Sequence, residues 1–188
     1  ALRNAHCRIE LFLASKGRPA PRTGLHLHRW DLFVADPAAA LRSAGVPEGF
    51  DVIATNPPYV KLQNLDEAYR ARLEAGFDGL AKGGYSLALL FPIAARRLLN
   101  RNGCLAIITQ NNLFTSLAGT AVRRELQRQR SVRRIVDFGH HKVFENASAY
   151  TCLAFFTRSE NQAIEFDSVR GSVTADSVAR TRFSRIPF

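Results

Sequence analysis

The distribution of apolar and polar residues along the chain predicts strands separated by helices. Strands are indicated by compact apolar runs rich in Val, Ile and Phe, or by strict alternation of apolar and polar residues. Such runs occupy residues 25–30, 50–55, 104–109, 132–138 and 150–157. Because helical patterns lie between several of them, the chain is predicted to be an α/β protein with a twisted, mostly parallel sheet.

Helical spacing of apolar residues is found in 1–14, 85–99 and about 117–129. In the last of these helices, Val122 and Leu126 are predicted to face inward and the arginines outward. A short Ala-rich helix is predicted after Asp36-Pro37 and is predicted to end at Gly45, since Asp caps a helix, proline suits its first turn and glycine ends it.

The composition of the chain changes after Arg158. Residues 159–188 are polar, rich in Ser, Thr and Arg, and contain only short apolar pairs. We therefore predict two parts, a folded domain over 1–158 and the start of a linker over 159–188. With 188 residues, 46% of them hydrophobic, the chain is large enough for one core and too short for two full domains.

The net charge of +10 favours a polyanionic partner, nucleic acid first among them. The excess is local, because residues 101–158 contain nine basic and three acidic residues. Of the 26 basic residues, 22 are Arg, which coding bias explains as easily as phosphate binding.

No apolar run approaches the length of a membrane span, so we expect a soluble, cytoplasmic protein without a membrane partner. Cys7, Cys104 and Cys152 lie far apart, and neither they nor His140-His141 have the spacing of metal ligands, so no metal site is predicted.

Asn56-Pro57-Pro58-Tyr59 follows directly after the strand predicted over 50–55. Loops at the carboxyl ends of strands line the ligand crevice of an open α/β sheet. Both prolines lack an N–H, so the loop is stiff and offers the Asn56 amide oxygen and the Pro57 carbonyl as acceptors. Two such acceptors can hold both hydrogens of an amino group and aim its nitrogen lone pair at an electrophile. Tyr59 offers a flat face on which an aromatic ring can stack.

The same four residues also suit a plain turn, because Asn-Pro favours turns by itself. The hydrophobic strand before them, with Asp51, is the context that the functional motif requires.

Further segments join this motif in an ordered set. In chain order the segments are 50–59, 85–91, 102–114, 135–139 with 142–144, and 150–152. Segment 50–59 resembles motif IV of the N6-adenine DNA methyltransferases that use S-adenosylmethionine. The last segments resemble a late motif of the gamma-class enzymes, especially those of restriction-modification and phage-defence systems. The ordered set covers roughly residues 25 to 158 and is far more specific than any one motif.

The resemblance implies a role for each matching residue. Asn56 and Pro57, with Pro58 completing the catalytic motif, would hold the amino group of an adenine flipped out of double-stranded DNA. Tyr59 would stack on that base, and Phe144 would pack against it from another side.

Asp31 resembles the acidic residue that accepts from the adenine amino group of the cofactor, with the backbone N–H of Leu32 beside it and Asn56 completing the cofactor-binding set. An Asp at the end of a strand is also commonly a cap. Arg123, Arg124 and Arg128 are candidates for contact with the DNA backbone, although a solvated helix face explains them about as well.

The resemblance also implies a glycine-rich loop for the methionine part of the cofactor and a second strand with an acidic ribose ligand. No G-x-G follows a strand in the first 50 residues, and the chain contains no Met. We therefore expect an internal piece of a longer enzyme. Its Rossmann-like sheet would lack its first two strands, and the piece would be inactive alone, with an incomplete cofactor pocket and no target-recognition region.

Two other functions stay open. Methyltransferases of protein glutamine or of an RNA base also use Asn-Pro-Pro-Tyr, and the chain could instead be a non-catalytic DNA-binding segment. The partners expected for the leading interpretation are double-stranded DNA and a restriction nuclease or defence-system subunits, in the same chain or in another.

Overall fold

The computed structural model describes residues 2–18, 25–33, 36–81, 86–141, 143, 150–169 and 171–188. Helices and strands alternate in the first part of the chain, as predicted for an α/β protein. The helices are α1 Leu2–Ser15, α2 Pro37–Ser43, α3 Glu67–Gly76, α4 Leu87–Arg96, α5 Asn112–Thr115, α6 Thr120–Arg128 and α7 Ala175–Ala179, and a 3-10 turn spans Leu62–Asn64. The strands are β1 Phe50–Thr55, β2 Leu99–Gln110, β3 Val132–Asp137, β4 Thr151–Thr157, β5 Ala163–Ser168 and β6 Ser184–Pro187.

The six strands form one sheet in the order β1-β2-β4-β3-β5-β6. β1 pairs in parallel with β2, and β3 with β5, whereas β4 is antiparallel to both its neighbours and β6 is antiparallel to β5. Four strands therefore point one way and two the other. The predicted α/β fold is confirmed, and the prediction of a mostly parallel sheet is correct only in part, because hydrophobic periodicity carries no information about strand direction.

Helix α4 lies at the centre of the core. All nine residues of 87–95 are buried, as expected for a helix that is apolar on every side, and the helix contacts β2, β4 and α6. The prediction of a helix over 85–99 was too long, since α4 ends at Arg96. The chain turns into the sheet there, where the backbone N–H of Phe50 donates to the Leu98 carbonyl at 2.9 Å.

Residues 100–103, which separate the helix predicted over 85–99 from the strand predicted over 104–109, lie inside β2. Phe50 pairs with Leu99, and Val52 pairs with Cys104, so β2 has extra residues at this point and forms a bulge. The bulge contains a local hydrogen bond typical of a turn, in which the Asn102 N–H donates to the side-chain oxygen of Asn100 at 3.0 Å. The strand predicted over 104–109 is thus longer than its apolar run.

The prediction of a strand over residues 25–30 was wrong. Residues 25–30 have no regular secondary structure, and in the described part of the chain no strand pairs with them. Alternation alone does not make a strand, because the backbone groups need a partner. Nearby, Asp36 caps α2 as predicted by accepting from the N–H groups of Ala38 and Ala39. In α6, Val122 and Leu126 face inward as predicted, each 1% exposed.

The division predicted at residue 158 stays a prediction, but residues 159–188 include three elements of regular structure, and two of them extend the sheet. β5 lies beside β3, where Arg134 and Glu165 form an ion pair at 2.5 Å. The Arg134 guanidinium also lies over the Phe183 ring, with its central carbon 4.1 Å from the ring centroid. Apolar contacts add to this attachment, because Val169 packs with Val136 and Phe138. These apolar residues are scattered in a polar segment, so no periodic pattern indicated the strands.

Candidate active site

The Asn-Pro-Pro-Tyr loop begins where β1 ends, at the carboxyl end of the strand, as predicted. The strand stops because proline has no N–H to donate to a ladder. Pro57 is buried, whereas Asn56 and Pro58 are exposed. The Asn56 side chain forms no hydrogen bond to any described residue, so its amide remains available to a ligand.

Tyr59 is anchored to the neighbouring strand. Its hydroxyl donates to the Ile108 carbonyl at 3.1 Å, one residue beyond the last β1–β2 pair, Thr55 with Ile107. The phenol thus takes the place of the next ladder bond. Burial, followed by the nearby Cys152, raises the pKa of Tyr59, so the hydroxyl remains a donor at neutral pH. The ring is 39% exposed, which leaves surface for stacking.

An open cleft of about 540 Å³ brings two of the three predicted cofactor residues to this loop. Asp31 and Leu32 line the cleft together with Pro58, whereas Asn56 does not line it. Its other walls include Arg29 and several apolar or aromatic side chains, among them Leu87 and Phe91. A carboxylate beside apolar walls suits a planar heterocycle that carries an amino group.

Tyr69 is part of this cleft and was not predicted from the sequence. Its hydroxyl donates to Asp31 Oδ1 at 2.9 Å, and the same oxygen accepts from the Phe33 N–H at 3.0 Å. Burial, and then the hydrogen bond to Asp31, raise the pKa of Tyr69. The start of α3 could be read from Asp66, which caps it by accepting from the Tyr69 N–H at 2.7 Å. The contact with Asp31 spans 38 residues and has no local signal.

A second polar group missed by the sequence lies at the carboxyl ends of β2 and β3. Asn111 Nδ2 donates to Asp137 Oδ1 at 2.6 Å, and the Gly139 N–H donates to the same oxygen at 3.0 Å. The Asn111 N–H donates to the Tyr150 carbonyl at 3.0 Å. Together these bonds hold both ends of the loop between β3 and β4. Phe144, the residue predicted to pack on the base, lies outside the described residues.

The three predicted DNA-contact arginines do not line this cleft. Arg123 is half-buried and donates to the carbonyls of Leu113 and Ser116, at 3.1 and 2.7 Å, and to Thr120. Arg128 pairs with Glu125 at 2.6 Å. Arg124 is exposed. Arg123 therefore holds the α5–α6 turn together, and a role of these arginines in DNA binding stays a prediction.

Among the residues that the structure describes, no group of three or more His, Cys, Asp or Glu is arranged to hold a metal ion. In the same part of the chain, no helix is long and apolar enough to cross a membrane.

Comparison with known proteins finds similarity to restriction-modification methylases. The family model of the Eco57I restriction-modification methylase matches residues 24–144. The chain is 27% identical over 124 residues to the type II restriction enzyme and methyltransferase RM.Eco57I of Escherichia coli. It is 30% identical over 117 residues to the type II methyltransferase M.BanIII of Aneurinibacillus aneurinilyticus. These matches cover 64% and 62% of this chain but only 12% and 20% of the two relatives.

Solved structures show the same fold. The DrdV–DNA complex matches 96% of this chain with a TM-score of 0.63 and 17% identity, over 22% of its own chain. The type IIL enzyme MmeI, in complex with DNA, matches 95% with a TM-score of 0.60 and 14% identity, over 24% of its own chain. A type I methyltransferase subunit from Streptococcus thermophilus matches 71% with a TM-score of 0.56 and 20% identity, over 31% of its own chain. With the family model covering more than half of its length, the chain belongs to the Eco57I restriction-modification methylase family.

Proposed function

We propose that this chain is the part of a longer enzyme that transfers a methyl group from S-adenosylmethionine to the N6 amino group of an adenine flipped out of double-stranded DNA. The observation that carries the proposal is the shared cleft, in which Asp31 and Leu32 line the same walls as Pro58 of the Asn-Pro-Pro-Tyr loop. The family match supports DNA as the substrate over protein glutamine or an RNA base.

The residues present fit the adenine end of this cofactor. Asp31 Oδ1 already accepts from Tyr69 and Phe33, which leaves Oδ2 for an amino group, and the Leu32 N–H can donate to a ring nitrogen beside it. Leu87 and Phe91 supply apolar walls for the ring. When bound, the cofactor supplies an electrophilic methyl group on a positively charged sulfur.

The loop would act on the target base. The Asn56 amide oxygen and the Pro57 carbonyl accept the two hydrogens of the adenine amino group, which directs the nitrogen lone pair toward the methyl carbon. The two oxygens would keep both protons of that nitrogen in hydrogen bonds as it gains positive charge, and one of these protons would then pass to solvent water. Tyr59, fixed through its hydroxyl, stacks on the base and stabilises its extrahelical position.

The same proposal implies protein and DNA partners for this chain. RM.Eco57I is both a restriction enzyme and a methyltransferase, and this supports a nuclease in the same polypeptide as this chain. A type I restriction-modification assembly among the similar structures supports separate subunits instead. Double-stranded DNA is the partner in either arrangement.

The decisive experiment replaces Asn56 by Ala in the full-length enzyme. Methyl transfer to unmodified duplex DNA should fall by at least about a hundredfold, because removing one group that stabilises a transition state has that effect, while DNA binding is retained. Asn64→Ala, also exposed and outside the loop, is the matched control. Turnover by Asn56→Ala at the normal rate would refute the role. Methylation of a release-factor glutamine or of ribosomal RNA, with none on DNA, would refute the substrate.

A further inference from the structure

A second cleft lies at the other end of the sheet, away from Asn56. It has a volume of about 830 Å³ and lies at the amino end of β1, where Pro47 and Glu48 precede the strand. β1 has six residues, so its two ends are roughly 20 Å apart at the usual rise of a strand. A base held at Asn56 therefore does not reach this cleft.

Five arginines line the second cleft, namely Arg42, Arg96, Arg97, Arg101 and Arg158. Only two carboxylates face them. Asp36 already accepts from two backbone N–H groups of α2, and Glu48 is exposed. The ion pairs of Arg128 with Glu125 and of Arg134 with Glu165 lie outside the cleft. Because five arginines face two carboxylates, the cleft keeps an excess of positive charge.

Backbone carbonyls hold three of these guanidinium groups in place. Arg96 donates through Nε to the Thr157 carbonyl and through Nη2 to the Arg158 carbonyl, both at 2.6 Å. Arg158 donates to the Leu99 carbonyl at 2.6 Å. Arg97 donates to the Gly76 carbonyl at 3.1 Å. Each group keeps unused N–H donors, because a guanidinium has five.

The arrangement brings like charges together. Burial lowers the pKa of Arg96, the neighbouring Arg158 lowers it further, and Glu125 opposes the shift. A bound anion would relieve this repulsion. Because the guanidinium groups are fixed before the ligand arrives, little side-chain entropy is lost on binding.

We propose that this arginine cleft binds backbone phosphates of nucleic acid that lies outside the target-base site. Planar guanidinium groups match the oxygens of a phosphate in pairs, which a lysine cannot do. The cleft is open and the whole chain carries +10, which favours an extended polyanion. A free nucleotide offers the same phosphate chemistry, so the test must separate the two sources.

The test measures binding of a fluorescent DNA duplex by anisotropy over a series of salt concentrations, using the full-length protein. The variant is Arg42→Gln with Arg101→Gln, since both side chains are exposed and neither forms a hydrogen bond to a described residue. The control is Arg133→Gln with Arg180→Gln, which are exposed, lie outside the cleft and change the net charge equally. Thermal melting checks that both variants fold.

The cleft variant should bind DNA about tenfold more weakly near 0.1 M salt, with a salt slope lower by about 2, because each lost phosphate contact removes about 0.9 from it. The control should retain the wild-type slope. Equal losses in the two variants, or no loss in either, would overturn the proposal. So would inorganic pyrophosphate or a polyglutamate peptide displacing the duplex at equal concentration, which would assign the cleft to a free phosphate compound or to an acidic protein segment.

Discussion

Replacing Tyr69 by Phe tests whether the hydroxyl at the edge of the cofactor cleft positions Asp31. The substitution keeps the ring and removes one donor to Asp31 Oδ1, at 2.9 Å in the native protein. The Phe33 N–H still donates to the same oxygen at 3.0 Å, so the carboxylate loses one of two restraints. The reason for choosing Phe is that the packing of the ring in the cleft is preserved.

The expected magnitude follows from the type of bond. A hydrogen bond to a charged group contributes about 1.5–3 kcal/mol. Because the bond from Tyr69 to Asp31 is exposed to solvent and Phe33 keeps its own bond to the carboxylate, we expect a loss of about 1 kcal/mol. Because 1.4 kcal/mol corresponds to a factor of ten, S-adenosylmethionine should bind about fivefold more weakly. The rate at saturating cofactor should change little, since Tyr69 does not contact the reacting atoms.

Calorimetric titration of the full-length enzyme with S-adenosylmethionine measures the effect. Tyr150→Phe is the matched control, because the Tyr150 hydroxyl has no hydrogen-bond partner among the described residues. Asp31→Ala provides a second background, in which Tyr69→Phe should have no further effect on affinity. An equal, fivefold loss in the Asp31→Ala background would refute the reasoning, as would unchanged affinity of Tyr69→Phe in the wild-type background.

Three further predictions concern stability and reactivity. Gly103→Ala should destabilise the fold by about 2 kcal/mol in urea unfolding, because its Cβ would lie 2.5 Å from a carbonyl oxygen of β1, whereas Gly76→Ala, with no neighbour closer than 3.9 Å, should be neutral or slightly stabilising. Burial, and then Asp137, raise the pKa of the Cys152 thiol to about 12, so Cys152 should resist iodoacetamide at pH 8 under conditions that label exposed Cys7. The raised pKa contributes fully to the stability of the fold below pH 9, the ordinary value for a thiol, and this contribution should decline between pH 9 and 12. The decline should be absent from a Cys152→Ala variant, and an equal decline in that variant would contradict the prediction. Asp137→Ala should cost about 2 kcal/mol, because it leaves a buried amide unpaired, and limited proteolysis should then cut the loop after β3 sooner than in the wild type.

The sequence predicted those parts of the molecule whose signals are local. The strand over 50–55 and the loop after it were placed correctly, because an apolar run ended at two prolines. Asp36 was identified as a cap because capping depends on the next few residues alone. The proximity of Asp31 to Pro58 was implied by the family resemblance rather than by any periodic pattern.

The parts that could not be predicted depend on contacts between distant residues. Residues 25–30 alternate like a strand, yet a strand forms only where another strand pairs with it. Hydrophobic periodicity equally fails to indicate the direction of β4 and the attachment of β5, whose apolar contacts come from scattered residues. Tyr69 was missed for the same reason, because nothing near it in the sequence indicates the carboxylate 38 residues earlier to which its hydroxyl donates.

Because the Tyr59 hydroxyl donates to the Ile108 carbonyl, the hydroxyl and the ring of this residue can have different roles. In the proposed function the ring provides the surface for a base, while the hydroxyl fixes the ring by donating to the Ile108 carbonyl of β2 at 3.1 Å. Immobilising an aromatic side chain costs conformational entropy, and here that cost is incurred when the protein folds rather than when the substrate arrives. A phenylalanine would keep the surface and postpone the cost to binding, so the hydroxyl governs how much of the stacking energy is available to hold a base outside the helix.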